Sequence, residues 1–167
     1  MGYLNPIEVF CYADFANQAI ECGVDGVLVV DMPPEEAQEL KALLDKVGID
    51  LIFLVAPTTT DNRLKLLADL ASGFVYYVSL KGVTGAGNLN IDSVNFHLER
   101  IRKYVDLPVG VGFGIKDAES AKAVSKSADA VIVGSTIVSF IEKNAKYKDK
   151  MIESVAKFAN EISDAIN

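Results

Sequence analysis

A chain of 167 residues, half of them hydrophobic and 23% charged, has ample material for a core and excludes intrinsic disorder. Its formal net charge of −7 and pI near 4.7 argue against a nucleic-acid partner, which demands a basic face. They leave room for an anionic small molecule, because backbone N–H groups alone can hold a phosphate.

Taken in chain order, helix-like and strand-like segments alternate. Residues 6–22 read as one helix, with Asn5 as N-cap and Pro6 at the first helical position. Gly23 ends it, and Gly26 to Asp31 is a short, continuously apolar strand. Pro34-Glu35-Glu36 opens a second helix, with proline and acids in the first turn, where the dipole favours them. Gly48 closes that helix before strand Leu51 to Ala56. A third helix over about 61–71 and Gly73 lead into strand Phe74 to Ser79. Gly23, Gly48 and Gly73 stand at equal intervals, yet the leucine pattern of a leucine-rich repeat is missing. The second half continues with a helix over about 92–104, strand Leu107 to Gly112, helix 117–126, strand Ala130 to Gly134 and helical sequence to the end. Every apolar run is strand-sized, far short of the ~18–20 residues that cross a bilayer. The opening residues, Met1 to Pro6, do not resemble a secretory leader.

Cys11 and Cys22 are about three helical turns apart on that first helix, ~16 Å along its axis and too far for a disulfide. They are expected as small buried hydrophobes in a reduced, cytoplasmic protein. One histidine and two distant thiols provide no metal-ligand spacing, so no metal is expected. His97 is expected on a helix surface beside Glu99 and Arg100, and the lysines at 143, 146, 148 and 150 on a solvated helix boundary.

Fully apolar strands between helices point to a parallel sheet covered on both faces. Two architectures fit, an open doubly wound sheet or part of a (β/α) barrel, within one structural unit spanning 1–167. In either, function gathers at the C-terminal strand ends. Those ends read Asp31-Met32-Pro33, Ala56-Pro57-Thr58-Thr59-Thr60, Ser79 to Gly87, Gly112-Phe113-Gly114-Ile115 and Gly134-Ser135-Thr136. Gly112-Phe113-Gly114 and Gly134-Ser135 can aim several N–H groups at one phosphate. The dinucleotide and P-loop fingerprints both fail. The long glycine-rich segment Ser79 to Asn90 suggests a lid, with Thr84 at its middle. Asp31 is expected to organise the turn into the following helix rather than to act as an acid or base. Tyr3, Leu28, Val30, Leu54, Tyr76, Phe113 and Ile132 could line an apolar pocket of aromatic width.

These motifs resemble the α subunit of tryptophan synthase. The resemblance rests on Gly2-Tyr3-Leu4-Asn5-Pro6, Gly23 to Glu36, Ala56-Pro57-Thr58-Thr59, Gly73 to Ser79, Gly82-Val83-Thr84-Gly85, Val111 to Ile115 and Val133-Gly134-Ser135, in family order over essentially the whole chain. Leu80 departs from it, standing where the family usually has arginine. The resemblance implies a (β/α)₈ TIM barrel that cleaves indole-3-glycerol phosphate to indole and glyceraldehyde 3-phosphate by a retro-aldol route. This chain would supply roughly strands four to eight. Gly85, Gly114, Gly134 and Ser135 would hold the phosphate. Tyr3, Leu28, Leu54, Tyr76, Phe113 and Ile132 would surround the indole, Thr84 would be the lid threonine, and Asn5 would lie near a β subunit. The family's catalytic glutamate and aspartate precede the Gly2-Tyr3-Leu4 motif, so this chain is expected to be inactive alone. No cofactor is expected here; pyridoxal phosphate would belong to the β subunit. Against the ~250 residues of a typical barrel the chain reads as about two-thirds of one, with open sheet edges inviting self-association. The competing reading is a non-catalytic phosphate-ligand-binding or scaffold half-barrel.

Overall fold

The computed structural model describes residues 1–79, 90–112 and 114–167. Five strands form one parallel sheet: β1 (Gly26–Leu28), β2 (Asp50–Val55), β3 (Val75–Val78), β4 (Val109–Gly112) and β5 (Ala130–Ile132). They lie in the order of the chain, β1-β2-β3-β4-β5. A doubly wound sheet reverses its strand order at a switch point, whereas a barrel adds each strand beside the last. The consecutive order decides for a partial (β/α) barrel. The edge beside β1 carries one further parallel bridge, Gly2 to Val29, with Gly2 N–H donating to Leu28 O and Val30 N–H to Gly2 O, both at 2.9 Å.

The connecting helices are α1 (Leu4–Phe10), α2 (Tyr12–Glu21), α3 (Gln38–Val47), α4 (Asp61–Leu70), α5 (Ile91–Ile101) and α6 (Ala118–Ser125), followed by α7 (Ser135–Asn144) and α8 (Lys148–Ile166). The single helix expected over 6–22 is two helices broken at Cys11, whose φ of 69° no helix accommodates. The helix begins at Leu4 with Tyr3 as N-cap, so Asn5 lies inside it and does not cap it. Both cysteines are exposed, not buried: Cys11 occupies the break and Cys22 caps the end of α2. Pro34 opens a 3₁₀ turn (Pro34–Glu36) ahead of α3. Gly48, at φ 76°, ends α3 in the left-handed conformation its position demands. Gly73 does not end a helix: α4 stops at Leu70, and Gly73 turns the chain into β3 at φ 70°.

The helix-covered face of the sheet is a hydrocarbon core. Val27, Leu51, Phe53, Val55, Val75, Tyr77, Val109 and Val111 pack there against Leu40 and Leu44 of α3, Leu64 and Leu67 of α4, Val94 and Leu98 of α5, and Ala121 and Val124 of α6. Tyr77 is 1% exposed and its ring meets His97 at 5.7 Å, so His97 is half-buried against the sheet instead of lying on a free surface. Burial pushes the Tyr77 hydroxyl up to about 12. Among the described residues, no helix is long and apolar enough to cross a membrane.

Candidate functional site

A parallel ladder sends paired residues to the same face, so the register locates the pocket-forming side chains. Leu28 pairs with Ile52, Leu54 with Tyr76, Tyr76 with Gly110, and Gly112 with Ile132. These residues alternate with the core positions and share the face that, among the described residues, no helix covers. Leu28 (6% exposed) and Tyr76 (9%) are buried, yet neither belongs to the core cluster under the helices. Ile52, Leu54 and Ile132 are half-buried. The register thus brings Leu28, Leu54, Tyr76 and Ile132 onto one apolar surface.

Glycines make room for the large side chains of that surface. A Cβ on Gly26 would meet Ile52 Cδ1 at 2.9 Å, one on Gly110 would meet Ile132 Cδ1 at 2.9 Å, and one on Gly112 would meet Tyr76 Oη at 2.2 Å. Each large side chain lies across a glycine of the neighbouring strand. The isoleucine tips can swing aside, but the Tyr76 ring turns only as a plate, so Gly112 is the least replaceable of the three. Its enclosed position also raises the Tyr76 hydroxyl above the ordinary tyrosine value.

At the C-terminal strand ends the two glycine loops are tied together. Ser79 donates twice to Gly112 O, through its N–H at 3.1 Å and its Oγ at 2.8 Å. Thr136 Oγ1 donates to Ile115 O at 3.4 Å, linking the β4–α6 loop to α7. Gly114 holds φ 81°, a conformation side chains resist. Beyond it, Asp117 caps α6 in a capping box, and hydrogen bonds from Ser120 keep its carboxyl below the usual carboxylate range. Gly134 is the N-cap of α7 at φ −124°, and among the described residues nothing lies within 4 Å of a Cβ placed there. The first turn of α7 has no acidic residue and no side-chain cap, and Ser135 is exposed at its start. Unpaired N–H groups at a helix start attract an anion.

The remaining expected residues are less gathered. Tyr3 is 63% exposed ahead of α1, and Asn5 is exposed within it. Thr84, Gly85, Phe113 and Leu80 lie outside the described residues. Asp31 is structural, but serves another helix than expected: its Oδ1 accepts from Leu4 N–H at 2.7 Å, capping α1. A cavity of about 270 Å³ opens beside Leu54, bounded by Val30, Asp31, Thr59 and Arg63. Behind it, Arg100 donates to Asp61 at 2.7 Å and to Thr59 O, and the Tyr104 hydroxyl donates to Asp61 at 2.9 Å. This network escaped the sequence reading, since nothing in local spacing pairs residues some forty positions apart. Among the described residues, no group of His, Cys, Asp and Glu is placed to hold a metal ion.

Comparison with known proteins agrees with this geometry. The family model described as "Tryptophan synthase alpha chain" matches residues 1–167. The tryptophan synthase alpha chain of Ruthia magnifica is 66% identical over 166 residues, covering 99% of this chain and 63% of the relative. That of Nitrosococcus oceani is 50% identical over the whole chain and 62% of the relative. The crystal structure of the alpha subunit from Legionella pneumophila superposes with a TM-score of 0.88 at 36% identity, over 99% of this chain and 61% of that one. An α2β2 tryptophan synthase complex from Pyrococcus furiosus gives 0.84 at 36% identity, over 96% and 64%. The chain spans less than two thirds of the length of these relatives.

Proposed function

The chain belongs to the tryptophan synthase alpha chain family, and on that premise we propose that it forms the C-terminal strands of a barrel lyase acting on indole-3-glycerol phosphate. The observation that carries this reading is the uncovered sheet face. There Leu28, Leu54, Tyr76 and Ile132 stand in register, in a sheet whose strands β4 and β5 lead to Gly114 and to the start of α7.

An elongated ligand with an aromatic end and a phosphate end suits that layout. The apolar face takes the indole, with Tyr3 and Phe113 completing the pocket. Gly114, Gly134 and Ser135, joined by Gly85, receive the phosphate through N–H groups. Anchoring both ends leaves the connecting carbon chain between them. The retro-aldol step there protonates a ring carbon, breaks the bond to the glyceryl chain and releases a hydroxyl proton as the aldehyde forms. Thr84 supports the closed lid. The two carboxylates the family uses as acid and charge stabiliser precede the Gly2-Tyr3-Leu4 motif in family order, so these 167 residues supply the binding part of the site.

Asn5, exposed on α1, lies toward the β subunit, which carries the pyridoxal phosphate; this chain takes no cofactor. The setting is cytoplasmic tryptophan biosynthesis. The β1 edge, with its single bridge, and an apolar groove of about 400 Å³ between α1 and α2 require cover, either from the rest of a barrel or from a second copy. Light scattering that finds a clean monomer with ordered edges counts against self-association. The test of the function is indole release from indole-3-glycerol phosphate. The purified chain should give none above background, and a rate comparable to an intact relative overturns the reading.

A further inference from the structure

An anion site built from backbone N–H groups is spoiled by any carbonyl oxygen that swings into it, because the same peptide units carry both ends of the dipole. At the end of β4 and just beyond it, Gly112 O and Ile115 O are each engaged by a hydroxyl from a neighbouring element. Ser79, one residue beyond β3, directs Oγ to Gly112 O at 2.8 Å in addition to its ladder N–H at 3.1 Å. Thr136, in the first turn of α7, directs Oγ1 to Ile115 O at 3.4 Å. The ladder bond alone would satisfy Gly112 O as a strand acceptor, so the second donor adds restraint. Thr136 sits in a helix turn with no side-chain cap of its own, and its hydroxyl is spent across the loop.

We infer that Ser79 and Thr136 are positioning residues for the phosphate grip: their hydroxyls hold the Gly112 and Ile115 carbonyls outward, so that the Gly114 loop and the start of α7 present N–H groups to one anion. This rests on the reading that Gly114, Gly134 and Ser135 bind phosphate. Neither hydroxyl touches the ligand; each acts through the backbone it restrains. Ser79 restrains the loop from the sheet side and Thr136 from the helix side, so losing either loosens the grip without removing a donor.

The test is titration of the full chain with inorganic phosphate and separately with indole, followed by amide and side-chain NMR shifts. Ser79→Ala and Thr136→Val should each weaken phosphate about three- to tenfold, the range of one net hydrogen bond. The shorter Ser79 bond should matter more. Indole affinity should stay unchanged, and Ser79→Thr and Thr136→Ser should restore phosphate affinity. If wild type binds phosphate and Ser79→Ala binds it equally while melting lower, the hydroxyl is merely structural and the inference falls. Equal loss of indole and phosphate affinity also overturns it, by showing general loosening. If wild type shows no saturable phosphate binding at Gly114, Gly134 and Ser135, the phosphate reading itself fails and takes the inference with it. Should Ser79→Ala not fold, Thr136→Val decides alone, since Thr136 lies outside the sheet.

Discussion

The two faces of the sheet are made from the same strands and do different work. On the helix-covered face, Leu51, Val75, Tyr77, Val109 and Val111 are at most 1% exposed and their partners are complementary helix side chains. On the other face, large side chains lie over glycines of the next strand, and β5 there leads to a helix, α7, whose first turn has no acidic residue. One face is filled by helix side chains, and the other is the face to which the proposed function assigns the ligand. Stability and binding should therefore separate by the parity of the strand residue.

The largest effect belongs to the filled face. Leu51→Ala should cost about 2–5 kcal/mol, the range for truncating a fully buried leucine. Chemical denaturation checks this, and a cost below about 1 kcal/mol would break the contrast. Gly112→Ala comes next, because its Cβ would sit 2.2 Å from the Tyr76 hydroxyl. It should cost about 1–3 kcal/mol as an overpacked site, with part of the loss regained when Tyr76→Val is added. A double-mutant cycle with no such recovery would remove Tyr76 as the obstacle.

A smaller effect lies at the edge of the cavity beside Leu54. Hydrogen bonds from Arg100 and Tyr104 hold the Asp61 carboxyl below the usual carboxylate range. Its folded-state pKa is thus below its unfolded one, so its contribution is present above the ordinary carboxylate pKa. It fades as pH falls from there through the lowered folded value. Melting curves from pH 6 to pH 2 should show wild type losing a small margin over Asp61→Asn only across that acidic window. A margin independent of pH contradicts the assignment. The smallest stability effect is at Gly134, where the new Cβ of Gly134→Ala meets nothing within 4 Å among the described residues. It should melt like wild type while weakening phosphate, and equal phosphate binding would show that the space is not used.

Much of the fold was legible because the strands are continuous apolar runs bounded by helices and glycines. Consecutive strand order, however, emerges only from pairing. The break at Cys11 was not legible, since neither glycine nor proline marks it and the apolar pattern runs through. The cysteines were misplaced for the same reason. Asp31 looked local because Pro33 and Pro34 follow it, yet its partner Leu4 lies 27 positions earlier. The glycines of the candidate phosphate loops could be read directly, as could the apolar pocket residues as a set. Which face each occupied could not, because strands apolar on both sides carry no alternation to read. Tyr76 over Gly112 needed the register between β3 and β4.

The most direct measurement is a calorimetric and NMR titration of the chain with indole-3-propanol phosphate. The expected result is saturable one-to-one binding, with shifts at Gly114, Gly134 and Ser135 and at the side chains of Leu54 and Tyr76, and no turnover of the natural substrate. Absence of saturable binding, or shifts confined to the helix-covered face, would contradict the division between a filled face and a ligand face.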